Sequence, residues 1–240
     1  MRLHRAPQFS RTIRCGWAYN GGLEAFSNKG IQMSFKKIAA SFALCLGLTG
    51  LTSGSAWAQQ APDALIKEVS TDVLESLKAD KDILAGDVQK VIVLVDAKVM
   101  PHVNFQRMTA SAMGRYWRQA TPEQQKRLQA EFKSLLVRTY SGALAQVKDQ
   151  TVQLKPMRGG ADDAEVVVRT EVRGKGDPIQ LDYRLEKSAD GWKIYDVNVM
   201  GVWLVENYRN SFAQEIGTNG IDGLIAKLAE RNKTAAARKT

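Results

Sequence analysis

Apolar residues recur at helical spacing up to about position 147 and at strand spacing beyond it, so two kinds of element divide the chain. From Ala61 to Leu77, the residues Leu65, Val69, Val73, Leu74 and Leu77 predict an amphipathic helix. Asp87 to Met100 repeats the pattern with Val91, Ile92, Leu94, Val95 and Val99, and Pro101 ends it because it has no N–H to donate. Phe105 to Gln119 carries Met108, Ala112 and Tyr116 along one face. The clearest helix follows. Thr121 is a good N-cap, Pro122 suits the first helical position, and Gln124 completes a capping box. Leu128, Phe132, Leu135, Leu136, Tyr140, Ala143, Leu144 and Val147 then form one stripe, and at about 1.5 Å per residue this helix runs ~39 Å.

Beyond Asp149 the period drops from about 3.6 to about 2. Thr151 to Lys155 predicts a short strand. Val166, Val168, Thr170 and Val172 alternate with Val167, Arg169, Glu171 and Arg173. Gly174-Lys175-Gly176-Asp177-Pro178 turns the chain, and Ile179, Leu181, Tyr183 and Leu185 alternate with Gln180, Asp182, Arg184 and Glu186. Ser188-Ala189-Asp190-Gly191 makes a second hairpin into Trp192-Lys193-Ile194-Tyr195. The result is an antiparallel meander with one apolar face, which the helices must cover. One strand breaks its own alternation: Asp196 falls in phase with Trp192 and Ile194, whereas Val197 and Val199 do not. A β-bulge near Tyr195-Asp196 returns Val197 and Val199 to the apolar side. Helices first, strands second and two C-terminal helices, entered through turns at Gly201 and Gly220, make the fold α+β. The small, basic tail from Asn232 to Thr240 is expected to fray.

Near the N-terminus the apolar pattern has another meaning. Met33-Ser34-Phe35-Lys36-Lys37 is a short positive segment, and Ile38 to Leu51 is an uncharged apolar run. Ala56-Trp57-Ala58 puts small residues at −3 and −1 of a cleavage site before Gln59. At about 14 residues against the ~20 needed to span a bilayer, the run suits a cleaved secretory signal peptide at 33–58. Bulky Leu44 before Cys45 argues against a lipoprotein signal. Met33 then reads as the start and residues 1–32 as an over-long gene model. A single domain, 59–232, follows, with a flexible tail at 233–240, and the product is expected in the periplasm.

Loss of that leader changes the composition. Of 34 Lys+Arg and 25 Asp+Glu, seven and one lie before Gln59, so the net charge falls from +9 to +3 and no longer suggests nucleic acid. Cys15 and Cys45 are lost, so the remaining 182 residues must rely on an apolar core without disulfides. His4 is lost too. His102 alone makes no multi-histidine metal site, and no G-x-S-x-G, Walker or H-E-x-x-H motif follows.

The segment from Asp196 to Phe212, built around Val199-Met200-Gly201-Val202-Trp203, is followed by Gly220-Ile221-Asp222-Gly223-Leu224. Together they closely resemble the MlaC family, and Ala120-Thr121-Pro122-Glu123-Gln124 resembles the start of that family's long helix. The likeness covers Ala61 to Arg231 in order. MlaC proteins are periplasmic phospholipid carriers, also known as toluene-tolerance auxiliary proteins. The resemblance implies a cone-like, NTF2-like fold: a curved antiparallel sheet wrapped by helices, acyl chains between them and the head group at the mouth. It implies a monomeric, non-enzymatic shuttle with no cofactor beyond its phospholipid cargo. Its partners would be an inner-membrane ABC transporter complex with an MCE-domain component and an outer-membrane lipoprotein–porin complex. The chemistry is coherent, since about 30 methylenes at roughly 0.8 kcal/mol each oppose unassisted passage through water by ~25 kcal/mol.

On that reading Met108, Phe132, Leu136, Tyr140 and Leu144 line the site from the helices. Val166, Val168, Leu181 and Tyr183 line it from the first long strands, and Trp192, Ile194, Val197 and Val199 from the last. Val202, Trp203, Leu204 and Tyr208 fall near the mouth. Each of these residues suits a packed core equally well. The alternative is an enzyme on the same cone-like fold, of steroid-isomerase or dehydratase type, which would need an acid such as Asp196 or Asp182. Asp182, however, alternates to the polar face, and Asp196 sits at the bulge. An adaptor whose interior is merely core is a third reading.

Overall fold

The computed structural model describes residues 60–237, apart from positions 145, 148, 158, 161 and 162. The expected signal peptide and cleavage site, the start at Met33, both cysteines and His4 lie outside the described residues. Helices α1 (Pro62–Ala79), α2 (Lys81–Leu84), α3 (Val88–Leu94), α4 (Phe105–Met113) and α5 (Pro122–Leu144) come first. Strands β1 (Thr151–Leu154), β2 (Glu165–Arg173), β3 (Ile179–Ser188), β4 (Gly191–Val199) and β5 (Val202–Trp203) follow, and α6 (Leu204–Ala237) is last. The strands form one antiparallel sheet in the order β1-β2-β3-β4-β5, the expected α+β arrangement.

Local chemistry sets the helix ends. Asp80 accepts from the N–H groups of Asp82 and Ile83 to start α2, and Asp87 accepts from those of Gln89 and Lys90 to start α3. The helix expected through Met100 changes character partway. Pro101 offers no N–H to the preceding turn, and the chain passes through a π-helical stretch, Val95–Val99, into a 3-10 turn, Met100–His102. The helix expected from Phe105 to Gln119 is likewise divided: Gly114, at φ 56°, stops α4, and a 3-10 turn continues to Gln119. In α5, Gln124 N donates to Thr121 Oγ1 at 3.2 Å and Thr121 N donates to Gln124 Oε1 at 3.0 Å, both bonds of the expected capping box. The helix ends at Leu144, short of the expected stripe; Ala143 is exposed, and Val147 is buried beyond the helix end.

The β-bulge lies where the alternation requires it. Leu185 pairs with Ile194 and Arg184 with Asp196, which leaves Tyr195 as the extra residue. Val197 and Val199 thereby rejoin the apolar face. β4 turns into β5 through Met200 (φ 51°) and Gly201 (φ 90°), the two positive φ angles of a type I′ hairpin. α6 is broken at Gly220 (φ 71°, ψ −177°), a conformation essentially restricted to glycine, so 204–219 and 221–237 are the two expected helices. The helix then continues through Ala237, beyond Asn232. That side chain is buried, and its amide donates to Glu131 O at 3.0 Å and Glu131 Oε2 at 2.7 Å.

Among the described residues, three apolar clusters provide the core. Leu128 and Phe132 of α5 meet Met108 of α4 and Phe212 and Ile225 of α6. Leu65, Ile66 and Val69 of α1 pack on Val166, Val168, Leu185 and Ile194. Leu77, Val91 and Val137 join α1, α3 and α5.

Candidate functional site: a half-covered apolar face

Cover over the apolar face of the sheet is graded along the strands. At one end Val166, Val168, Leu185, Trp192 and Ile194 are at most 5 % exposed, packed against α1. Further along, Val172, Leu181, Tyr183, Val197 and Val199 are only half-buried, although Thr170, paired with Leu181 on the same face, is fully buried. At the far end Ile179 is 41 % exposed and Met200 70 %. From Val166 to Val172, Ile179 to Leu185 and Ile194 to Val199, the residues on this face include no charged side chain. Its polar groups are engaged. Thr170 Oγ1 donates to Leu181 O at 2.9 Å, and the Tyr183 hydroxyl, its pKa raised by burial, is hydrogen-bonded to Ser70 and Thr170.

Helical residues show the same incompleteness. Val73 of α1 and Leu136 and Leu144 of α5 stand half-buried at the margins of the clusters, and Tyr140 is half-buried as well. Such surfaces offer non-directional burial to an apolar ligand.

The expected lining residues separate into distinct groups. Met108, Phe132, Val166, Val168, Trp192, Ile194, Leu204 and Tyr208 are buried and fill core. Leu136, Tyr140, Leu144, Leu181, Tyr183, Val197 and Val199 are half-buried, and Val202 is exposed beside Val199. Trp203 departs from expectation: it pairs with Asn198 on the opposite face of the sheet, where the Arg184 guanidinium lies 3.9 Å over its ring. Val73, Val172, Ile179 and Met200 belong to the half-covered region but were not expected there. Alternation with Leu181 was the available signal for Ile179, and its pairing partner Val172 follows from it.

The opposite face is a polar network. Asp196, almost fully buried, accepts from Arg184 Nη1 at 3.0 Å, Val197 N at 2.9 Å and Val205 N at 3.0 Å, tying β4 to the start of α6. Burial pushes its carboxyl pKa up. Arg107 pairs with Glu186 and, at 2.5 Å, with Glu165, while stacking 3.7 Å over Tyr195. Tyr195 donates to Glu165 at 2.7 Å; burial and that carboxylate push its hydroxyl up to about 12. Glu165 is lowered by its bonds from Arg107 and Tyr195. A hollow of about 440 Å³ on this face is lined by Glu165, Val167, Arg169, Arg184 and Tyr195. Asp182 lies here too, opposite Arg169 and Asn198, on the polar face as expected although buried. Both candidate acids are thus on the far side of the sheet from the apolar region. Among the described residues no His, Cys, Asp or Glu cluster could hold a metal ion, and no helix is long and apolar enough to cross a membrane.

Two motifs distant in sequence meet in space: Gln124 Nε2, in the cap of α5, donates to Asp222 Oδ1 of the glycine-rich kink at 3.0 Å. The MlaC protein family matches residues 67–230. The chain is similar to the toluene tolerance protein ttg2D of Pseudomonas putida, 29% identical over 187 residues, covering 74% of this chain and 86% of that protein. It is also similar to the intermembrane phospholipid transport system binding protein MlaC of Haemophilus influenzae, 23% identical over 184 residues, covering 75% and 86%. A solved structure, the phospholipid-binding protein from Ralstonia solanacearum in complex with a phospholipid, is 52% identical with a TM-score of 0.72, covering 74% of this chain and 99% of that one.

Proposed function

The chain belongs to the MlaC family, and on that premise we propose that it is a non-enzymatic phospholipid carrier of the periplasm. Acyl chains enter between the half-covered sheet face and the helices, and the protein shuttles them between an inner-membrane ABC transporter complex with an MCE-domain component and an outer-membrane lipoprotein–porin complex. It works as a monomer, with phospholipid as its one bound group. A signal peptide delivers it to the space where such a carrier is needed.

One observation carries this reading. An uncharged sheet face passes from buried to exposed along its strands, leaving Leu181, Tyr183, Val197 and Val199 half-covered. Each methylene shielded there recovers roughly 0.8 kcal/mol of the cost of leaving a bilayer. Because that gain is non-directional, selectivity among head groups is expected to be weak. The phospholipid held by the Ralstonia protein supports the same ligand class here, and the name of the Haemophilus relative supports transport between membranes.

Extraction of gently purified protein with organic solvent, followed by mass spectrometry, tests the proposal. Phospholipid in near-stoichiometric amount is expected, and its absence favours an adaptor. Val202→Glu, which charges the rim without cutting into the core, is expected to lower the lipid content severalfold with little change in melting temperature. Undiminished lipid in that variant contradicts the placing of the mouth.

A further inference from the structure

Among the described residues, three of the five exposed large apolar side chains, Ile179, Met200 and Val202, stand together at the open end of the sheet. We propose that this tip docks the protein directly onto a phospholipid bilayer, with the mouth of the apolar region facing the membrane. The inference deepens the carrier reading and rests on it for what passes through the mouth.

Geometry joins the three residues. Met200 N donates to Gln180 O at 3.0 Å, which sets the β4–β5 turn against the first residues of β3, and Val202 pairs with Val199. The tip therefore continues the same apolar face that emerges from under α1.

Met200 is unusual in a second respect. It is the residue other than glycine with positive φ among those described, in a turn where Asn or Gly is relaxed and a Cβ is crowded. Met200 is also 70 % exposed, so neither backbone preference nor packing within the chain accounts for a large apolar side chain at this point. Entry into hydrocarbon does.

Charge favours a bilayer as the surface this tip meets. Around the tip the charge is mainly positive. Lys175 lies on the β2–β3 turn beside Arg173, which also bonds Glu171, and Asp177 is the one acid of that turn. Lys78 joins them: its Nζ donates to Gln150 O at 3.0 Å, and Gln150 lies against Gly174. Cations flanking an apolar tip suit the anionic surface of a membrane.

Co-sedimentation with vesicles of equal parts phosphatidylethanolamine and phosphatidylglycerol tests the docking, with bound phospholipid measured on the same preparations. The wild-type protein is expected to sediment with the vesicles. Met200→Asp is expected to weaken that binding about tenfold, the scale of losing one large buried side chain, when preparations matched for bound phospholipid are compared. Met200→Gly guards against misfolding as the cause: it relieves the positive φ, so it should melt at the same or a higher temperature and still bind vesicles more weakly. Wild-type protein that stays in the supernatant, or Met200→Gly that binds as tightly as wild type, overturns the inference. Vesicle binding by protein that holds no phospholipid would support the docking while sinking the carrier reading.

Discussion

The two faces of one sheet are completed in different ways. On the polar face, Arg107, Glu165, Glu186, Arg184 and Asp196 are all paired, and two arginines stack on Tyr195 and Trp203. On the apolar face, Val168, Leu185 and Thr170 are fully covered, whereas Tyr183, Leu181, Val172, Val197 and Val199 are only half-covered. Both faces arise from the same alternation of residues. The difference lies in what each meets: α4 and α6 supply partners for the charges, whereas the outer half of the apolar face is left half-covered by the described residues. A site for an apolar ligand is thus marked by missing cover, since its residue types are those of any core.

The largest effect is expected on the polar side. Asp196→Ala strips Arg184 and two backbone N–H groups of a buried acceptor, and a loss of about 3 kcal/mol or more in urea unfolding is expected. A loss below about 1 kcal/mol would mean that this network is ornamental. Next comes a pair on the apolar side. Leu185→Ala, at the closed end, should cost about 3 kcal/mol, whereas Val199→Ala, at the open end, should cost under about 1 kcal/mol and reduce phospholipid retention instead. Equal destabilisation by the two would erase the distinction between core and site.

The smallest effect concerns pH. Glu165 has a lowered folded-state pKa, so its contribution is present above the ordinary glutamate range and fades as pH falls through the lowered value. Being exposed and screened, it should supply no more than about 0.5 kcal/mol, and Glu165→Gln should remove that much of the wild-type stability at neutral pH and nothing at strongly acid pH. Asp196 works in the opposite sense: with its pKa raised by burial, its contribution is full at acid pH and declines as pH rises through the raised value. Urea midpoints of wild type and Glu165→Gln across the acid range separate the two.

Much of this architecture was legible in the chain. The cap at Thr121 and Gln124, the meander, the bulge at Tyr195 and the break at Gly220 each follow from local chemistry that tertiary contacts do not override. The interruptions at Gly114 and before Pro101 were less legible, because an apolar periodicity persists through 3-10 and π turns. Within the candidate site, alternation identified the face of Leu181, Tyr183, Val197 and Val199 correctly. It did not separate them from Val166 and Val168, since cover depends on tertiary packing of the helices, which alternation does not encode. Trp203 was misplaced for a related reason. The turn at Met200 and Gly201 begins a new strand whose facing is set by pairing with β4, and that pairing sends Trp203 to the polar side.

The central claim is that acyl chains lie on the apolar face, and photocrosslinking tests it most directly. A phospholipid carrying a diazirine within one acyl chain, loaded into the protein and irradiated, should label peptides containing Leu181, Tyr183, Val197 or Val199 and, on α5, Leu136 or Tyr140. Labelling confined to Val167, Arg169 and Tyr195, around the hollow on the polar face, would contradict the account.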